Sequence, residues 1–329
     1  MKRKASILII LFAILFELVA QDTQFTQFYS VPLYLAPSFA GATKQHRIGG
    51  AYRNQWSGIP GGFVSYLVAY DHFMSGFNSG FGFYYLRDYA GSGKLGSSKI
   101  ALSYSYDIIV NKEKNFHIRP GLSFEYFKYD LNFNKLIFSD QLVGGPQSQS
   151  PTSIEDRPRD DFRGNYDGSA SLLVFNPKLW FGFTANHLFR PNESLYNDKT
   201  YIPIKYSFFG GYQISRKSIL LKPVDESVSL AYIVRKHGLA QQLDIGLYWF
   251  KVPIVFGFWY RGIPIYSERG DAVAFLVGYK TQKFSIGYSY DFTISDLAIT
   301  SGGAHEISFS YHFQTSRKKK YHSIPCPEF

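Results

Sequence analysis

The last complete run of secondary structure in this chain reads Ala304-His305-Glu306-Ile307-Ser308-Phe309-Ser310-Tyr311-His312-Phe313. Ile307, Phe309, Tyr311 and Phe313 fall on one side of an extended strand, and Glu306, Ser308, Ser310 and His312 on the other. Side chains alternate across a strand, so this is a sheet with one oily and one wet face. A soluble sandwich also alternates. Two features select a membrane instead: the oily face is strongly aromatic, and the pattern recurs along nearly the whole chain. A sheet in hydrocarbon must close on itself, because an open edge leaves backbone groups unsatisfied.

The same reading gives strands over 46–54, 64–72, 80–88, 99–110, 116–130, 166–175, 179–188, 204–214, 227–235, 242–250, 254–261, 272–279, 284–292 and 306–313. Alternation is clean in Lys99–Val110, where Ile100, Leu102, Tyr104, Tyr106, Ile108 and Val110 share a face, and in Phe284–Phe292. The expected fold is all-β: a transmembrane, outer-membrane antiparallel barrel of about fourteen strands with both termini periplasmic. Connection lengths support it. Asn111–Asn115, Asn176–Lys178, Lys251–Pro253 and Thr281–Lys283 are short and lie at one end. Leu131–Asn165, Phe189–Pro203, Gly262–Asp271 and Thr293–His305 are longer and lie at the other, as outer loops do.

Composition agrees. Aromatics make up 19% of the chain, with 31 Phe and 26 Tyr, which suits a lipid-facing band and interfacial girdles. Beyond the N-terminus no run reaches the roughly 18 apolar residues of a membrane helix. The net charge of +10 is dispersed apart from Lys2–Lys4 and Arg317–Lys320, and no nucleic-acid motif accompanies it. Residues 1–20 read as a signal peptide cleaved before Gln21, and 21–45 as a periplasmic segment entering the lumen at least in part. The barrel then occupies 46–313 and a basic periplasmic tail 314–329. The lone Cys326 excludes an internal disulfide.

Catalytic motifs are missing: no Gly-x-Ser-x-Gly, His-Glu-x-x-His or P-loop occurs. His305 beside Glu306 could handle a proton, but a lumen-facing polar network explains it better. Asp156, Asp160 and Asp161 could bind calcium, yet Arg157, Arg159 and Arg163 compete with a cation. No cofactor, metal or enzymatic activity is expected. Arg53, Asn54 and Trp56 offer a strand end with an interfacial anchor, or a contact for another protein.

Several segments resemble the PorP/SprF family of the type IX secretion and gliding-motility system of Bacteroidota. They are Gln21-Asp22-x-Gln24 through Tyr29, Pro32–Pro37, Phe39–Gly41, Tyr52–Trp56, Asp88–Gly91, Leu136–Gln141, His187–Pro191, Gly257–Arg261, Gly287–Asp291, Gly302–Ile307 and Cys326-Pro327-x-Phe329. The resemblance implies a non-enzymatic outer-membrane accessory of protein secretion. Its partners would be a large secreted surface adhesin, machine components in the periplasm and outer membrane, and outer-membrane lipid, with no nucleic acid. It makes Arg53, Asn54, Trp56, Asp140, Gln141, Trp259, Arg261, Cys326 and Phe329 candidate partner contacts. A channel for small solutes is the alternative.

Overall fold

The computed structural model describes residues 22–91, 93–136, 138, 141, 162–195, 198–216, 226–262, 272–281, 283–294 and 301–313. The wall runs β1 (His46–Gln55), β2 (Phe63–Met74), β3 (Ser79–Ala90), β4 (Leu95–Tyr106), β5 (Ile108–Asn111), β6 (Phe116–Asp130), β7 (Phe162–Phe175) and β8 (Leu179–Asn186). It continues with β9 (Lys205–Arg216), β10 (Glu226–His237), β11 (Ala240–Lys251), β12 (Ile254–Arg261), β13 (Ala272–Lys280), β14 (Phe284–Thr293) and β15 (Ala304–Phe313). Sequence neighbours pair antiparallel except β4 and β5, which both pair with β6, and β1 pairs with β15, from His46 opposite Phe313 to Gln55 opposite Ala304. The sheet is a closed barrel.

β4 and β5 are two pieces of one stave, both paired with β6, so the wall has fourteen staves. Asp107 keeps the inward step but leaves the ladder, and the alternation expected through Val110 breaks at Ile109. The Asp107 N–H donates to the Asn78 carbonyl at 2.8 Å, and its side chain takes the Lys44 ammonium and His117 Nδ1. A register shift follows, and Ile108, Ile109 and Val110 all face outward. A bulge of this kind turns a strand locally while its neighbours stay paired.

The faces segregate by chemistry. Ile307, Phe309 and Tyr311 are exposed, whereas Glu306, Ser308 and Ser310 are buried against the lumen. The outer surface is consequently a continuous apolar and aromatic band, suited to hydrocarbon flanked by interfacial rings. His305 and Glu306 point to opposite sides. His305 Nδ1 meets the Tyr288 hydroxyl outside at 2.9 Å, while Glu306 is fully buried inside, so they form no proton-handling pair.

The connections 131–161, 187–204, 262–271 and 294–303 share one end, the loop end. The opposite, turn end carries 75–78, 112–115, 176–178, 217–225, 252–253 and 281–283. Two loop-end connections, 91–94 and 238–239, are no longer than the turns at 75–78 and 112–115, so length alternates less strictly than a barrel rule implies.

Residues 22–44 lie inside the barrel. They include a single turn, α1 (Pro32–Leu35), and a 3-10 turn at Pro37–Phe39. Burial along this segment gives its path: Asp22–Gln24 are half-buried, almost all of Phe25–Thr43 is buried, and Lys44–His46 are half-buried again. A chain packed along the bore from one mouth to the other has that profile. Asp22 reaches the loop-end residues His187 and Lys205, and Lys44 reaches Asp107 near the turn end. The first described residue and Phe313 therefore lie at opposite ends of the barrel, rather than together.

Candidate functional site

The loop-end half of this plug is held by ions. Arg53 points inward from β1, opposite Glu306 in β15. Its guanidinium donates to Glu306 Oε2 at 2.9 Å, to Asp291 Oδ2 of β14 at 2.8 Å, and to Thr26 Oγ1 of the plug at 2.9 Å. The Glu306 carboxylate accepts two successive plug amides, Thr26 N–H and Gln27 N–H, each at 2.8 Å. Asp291 also accepts from Arg261 Nη1 at 3.0 Å, and Arg261 Nη2 donates to Gln24 Oε1 at 2.8 Å. Gln27 is read on both sides of its amide: Nε2 donates to Ser289 Oγ and the Glu306 carbonyl, and Oε1 accepts from Ser308. Charged groups this deeply buried persist only when paired, and here each acid has at least two donors.

Asp22 begins the plug at the mouth. Its carboxylate takes Lys205 and, at 3.0 Å, His187 Nε2, while His187 Nδ1 meets Asp167 at 2.6 Å. Burial pushes the Asp22 carboxyl up, but the charges of Lys205 and His187 outweigh it and hold the group well below the usual carboxylate range. Burial pulls His187 down, but the two carboxylates on its ring nitrogens leave it raised.

The middle of the plug is aromatic. Phe28 meets Trp259 edge-on at 5.0 Å, Tyr29 meets Trp180 edge-on at 6.1 Å, and Phe39 stacks on Phe209 at 5.7 Å. Trp180 Nε1–H donates to the Tyr29 hydroxyl at 3.1 Å. Edge contacts of this kind add about 0.5–1.5 kcal/mol each to the area they bury. The wall makes room for the rings: a Cβ on Gly246 would lie inside the Trp259 indole.

Toward the turn end the plug is seated by its backbone. Gly41 N–H donates to Asp71 Oδ2 at 2.7 Å, and Arg47 Nε holds the other oxygen at 2.8 Å. The Ala40 carbonyl accepts from Ser105 at 2.8 Å and from Arg119. Gly41 has φ +64°, and a Cβ there would stand 2.7 Å from the His72 carbonyl oxygen, so both conformation and space require glycine.

These contacts correct the expectation for three candidate residues. Arg53, Trp259 and Arg261 are 2%, 1% and 7% exposed and touch the chain's own plug, so none is free to meet another protein in this state. Their strands alternate, and each lies on the inward step. Trp56 stands at the rim, where its N–H donates to the Gly303 carbonyl at 2.7 Å and its ring meets Phe63 edge-on. Asn54 is half-buried on the outward step of β1. Gln141 Oε1 accepts the Phe138 N–H at 2.8 Å. Asp140, Cys326, Phe329 and the acidic group Asp156, Asp160 and Asp161 lie outside the described residues. Among the described residues no group of three or more His, Cys, Asp or Glu could hold a metal ion.

A family model for the type IX secretion system membrane protein PorP/SprF matches residues 18–311. The chain belongs to the PorP/SprF family. A search of curated proteins found no match. Among solved structures, the fold is similar to the Ralstonia pickettii toluene transporter TbuX, with a TM-score of 0.50 at 10% identity over 87% of this chain and 94% of that one. The CymD monoaromatic hydrocarbon channel aligns with a TM-score of 0.49 at 11% identity over 88% and 94%. At such identities the likeness to TbuX is one of fold. As a secretion-system membrane component with a closed barrel and an apolar outer band, this PorP/SprF protein is placed in the outer membrane. Its family is not one of enzymes.

The segments that carry the PorP/SprF resemblance converge in space. Gln24–Tyr29 is the ionic and aromatic part of the plug, and Tyr52–Trp56, Gly257–Arg261, Gly287–Asp291 and Gly302–Ile307 supply Arg53, Trp259, Arg261, Asp291 and Glu306 around it. His187–Pro191 supplies the base on Asp22. Asp22, Thr26, Gln27 and Asp291 lie in segments that carry the resemblance but were not among the candidate contacts, and Asp167 and Lys205 stood outside both. The signal available was the alternation itself, which put Asp291 on the inward step beside Ser289.

Proposed function

We propose that this protein is a non-enzymatic accessory of type IX secretion. Its loop end faces the exterior and engages a secreted surface protein of the adhesin type. Its turn end and basic tail face the periplasm and meet components of the machine. The observation that carries this reading is the filled bore: residues 22–44 occupy the lumen from mouth to mouth. A filled bore favours an interaction role over a channel for small solutes. The membership of a secretion-system family supports the same choice. The candidate contacts left available on this reading are Asn54, Trp56, Asp140 and Gln141 toward the outside, with Cys326 and Phe329 in the tail.

The test is a pull-down from gently solubilised outer membrane with a tag inserted at 147–151, in parallel with deletion of the gene. Co-purification of a large surface protein with periplasmic components, and loss of that protein's display on deletion, is the expected result. Recovery of the barrel alone, with display of every candidate cargo unchanged, overturns the reading. Truncation of 321–329 is expected to impair display while the barrel still assembles.

A further inference from the structure

Asp22 does more than hold the plug at the loop end. It occupies a site whose other members all belong to the wall. Lys205 opens β9, His187 follows β8, and both address one carboxylate. His187 is fixed from behind by Asp167, which is fully buried, and its ring lies on that of His237 at 5.7 Å and 20°. Beside this group, between the plug and β9–β11, lies a cavity of about 90 Å³. Lys205, Arg235, His237 and Gln242 line its wall side, and Phe25 and Phe28 its plug side. His237 is 7% exposed, and its Nε2 has no hydrogen-bond partner among the described residues.

Two features separate this corner from the rest of the plug. From Phe25 onward the segment is tied down by burial and by its covalent run into β1, whereas Asp22–Gln24 are half-buried at the mouth. The cavity is also lined by more than Asp22 and Lys205: Arg235, His237 and Gln242 on the wall and Phe25 and Phe28 on the plug face a space that the plug leaves unfilled. A pocket lined by that carboxylate, the Lys205 ammonium, the Arg235 guanidinium and the His237 imidazole, with His187 on the same carboxylate, has the chemistry of an acid-recognition site.

We propose that the loop-end mouth of the lumen is a binding site for an acidic peptide segment of a partner, and that Asp22 fills it at rest as an internal ligand. A Glu or Asp of the incoming segment replaces Asp22 on Lys205 and His187. The residue next to it enters the cavity against Phe25 and Phe28, within reach of His237 and Gln242. One carboxylate is exchanged for another on the same bases, so no buried cation is left without an anion. The exchange frees the first residues of the plug. Because Asp22 is tethered, it competes at a high effective concentration, and the resting protein binds a free acidic peptide weakly. This deepens the proposed role by naming the chemistry of one outer contact; the binding test below reads the site itself, whatever the protein's part in secretion.

The full chain is reconstituted in nanodiscs and titrated with a fluorescein-labelled decapeptide of alternating Glu and Gly, read by anisotropy, with the Gln-for-Glu decapeptide as control. Asp22→Asn removes the internal competitor and is expected to bind the Glu peptide about tenfold or more tightly than the unaltered protein. The gain should shrink with added salt and vanish in Asp22→Asn/Lys205→Gln. Asp22→Glu keeps an internal anion and should bind like the unaltered protein. The inference is overturned if Asp22→Asn binds no more tightly, if the Gln peptide gains equally, or if the gain survives loss of Lys205. Heat-modifiable electrophoretic mobility verifies a folded barrel in each variant, and Asp22→Glu tests the competition even if Asp22→Asn loosens the plug.

Discussion

Replacing Arg53 by methionine should release the loop-end half of the plug while leaving the barrel closed. Arg53 is 2% exposed and joins three groups: Glu306 at 2.9 Å, Asp291 at 2.8 Å and the Thr26 hydroxyl at 2.9 Å. Methionine keeps much of the volume and removes every donor. Breaking a buried ion pair from one side costs about 3–5 kcal/mol, because the orphaned charge stays desolvated. Here Glu306 retains two plug amides and Asp291 retains Arg261, so the lower bound of about 3 kcal/mol applies. At about 1.4 kcal/mol per factor of ten, the closed plug should lose on the order of a hundredfold in population relative to the open one. Hydrogen exchange in nanodiscs reads this directly at the Thr26 and Gln27 amides, whose acceptor is Glu306. Their protection should fall about a hundredfold, and protection in β1 and β15 should hold. Tyr52→Met, one step along β1 on the lipid side, is the control and should change neither. Adding Glu306→Gln to Arg53→Met removes the orphaned charge and should restore part of the protection. Unchanged exchange at Thr26 and Gln27 in Arg53→Met, or the same loss in Tyr52→Met, refutes the reasoning.

Deleting residues 22–43 should turn a barrel without steady conductance in planar bilayers into one that conducts; an intact protein that already conducts as well would refute a filled bore. Gly41→Ala should unseat the turn-end half of the plug. The left-handed backbone alone costs roughly 1–2 kcal/mol, and the His72 carbonyl blocks relief, so proteolysis of residues 36–44 should rise while barrel mobility is kept. The Asp22–His187 anchor should depend on pH in two opposite senses. The depressed Asp22 contributes fully above the ordinary carboxyl value of about 4 and fades only as pH falls through its lower folded value. The raised His187 contributes fully below the ordinary imidazole value of about 6.5 and fades as pH rises through its higher folded value. Exchange of residues 23–25, corrected for intrinsic rate, should therefore be slowest at about pH 5–6.5 and quicken above neutrality. His187→Gln should abolish that quickening, and an unaltered profile would show that the imidazole does not anchor the plug.

The wall was legible because one rule generates it. From Glu306 to Phe313 the inward residues of β15 are polar and the outward ones apolar, and β14 repeats this from Phe284 to Phe292 with Ser, Gly and Asp inward. The plug obeys no such rule. Gln24-Phe25-Thr26-Gln27-Phe28-Tyr29 mixes polar and aromatic residues because it is surrounded on all sides, by acids at one height and by indoles at the next. Nothing in its local sequence states that Thr26 and Gln27 meet a carboxylate some 280 residues away. The misassignment of Arg53, Trp259 and Arg261 has the same origin. Arginine and tryptophan are typical of interfaces with other proteins, and here the interface is with the chain's own plug. Alternation counted from Tyr52 or Phe258 would have sent all three inward.

The plug's two ends are built for different fates. At the turn end Gly41 and Ala40 are held by Asp71, Arg119 and Ser105, and the chain passes directly into β1 at His46. Moving that end means displacing a stave. At the loop end Asp22–Gln24 are half-buried, Asp22 is held by His187 and Lys205, and Asp22 and Lys205 border a cavity. Unseating therefore starts at Asp22 and proceeds inward. It meets the carboxylate pair Asp291 and Glu306 first, and next the rings of Trp259 and Trp180. Leaving the first means stripping two buried acids of their plug donors. Leaving the second means pulling two aromatic side chains out of a packed core, at several kcal/mol for each. The ionic layer is thus the step that a partner of matching charge can lower by substituting its own groups, whereas no soluble ligand replaces the aromatic layer. A plug so arranged loosens at its loop end and stops at its middle, which keeps the bore closed while Asp22 gives way to another acid.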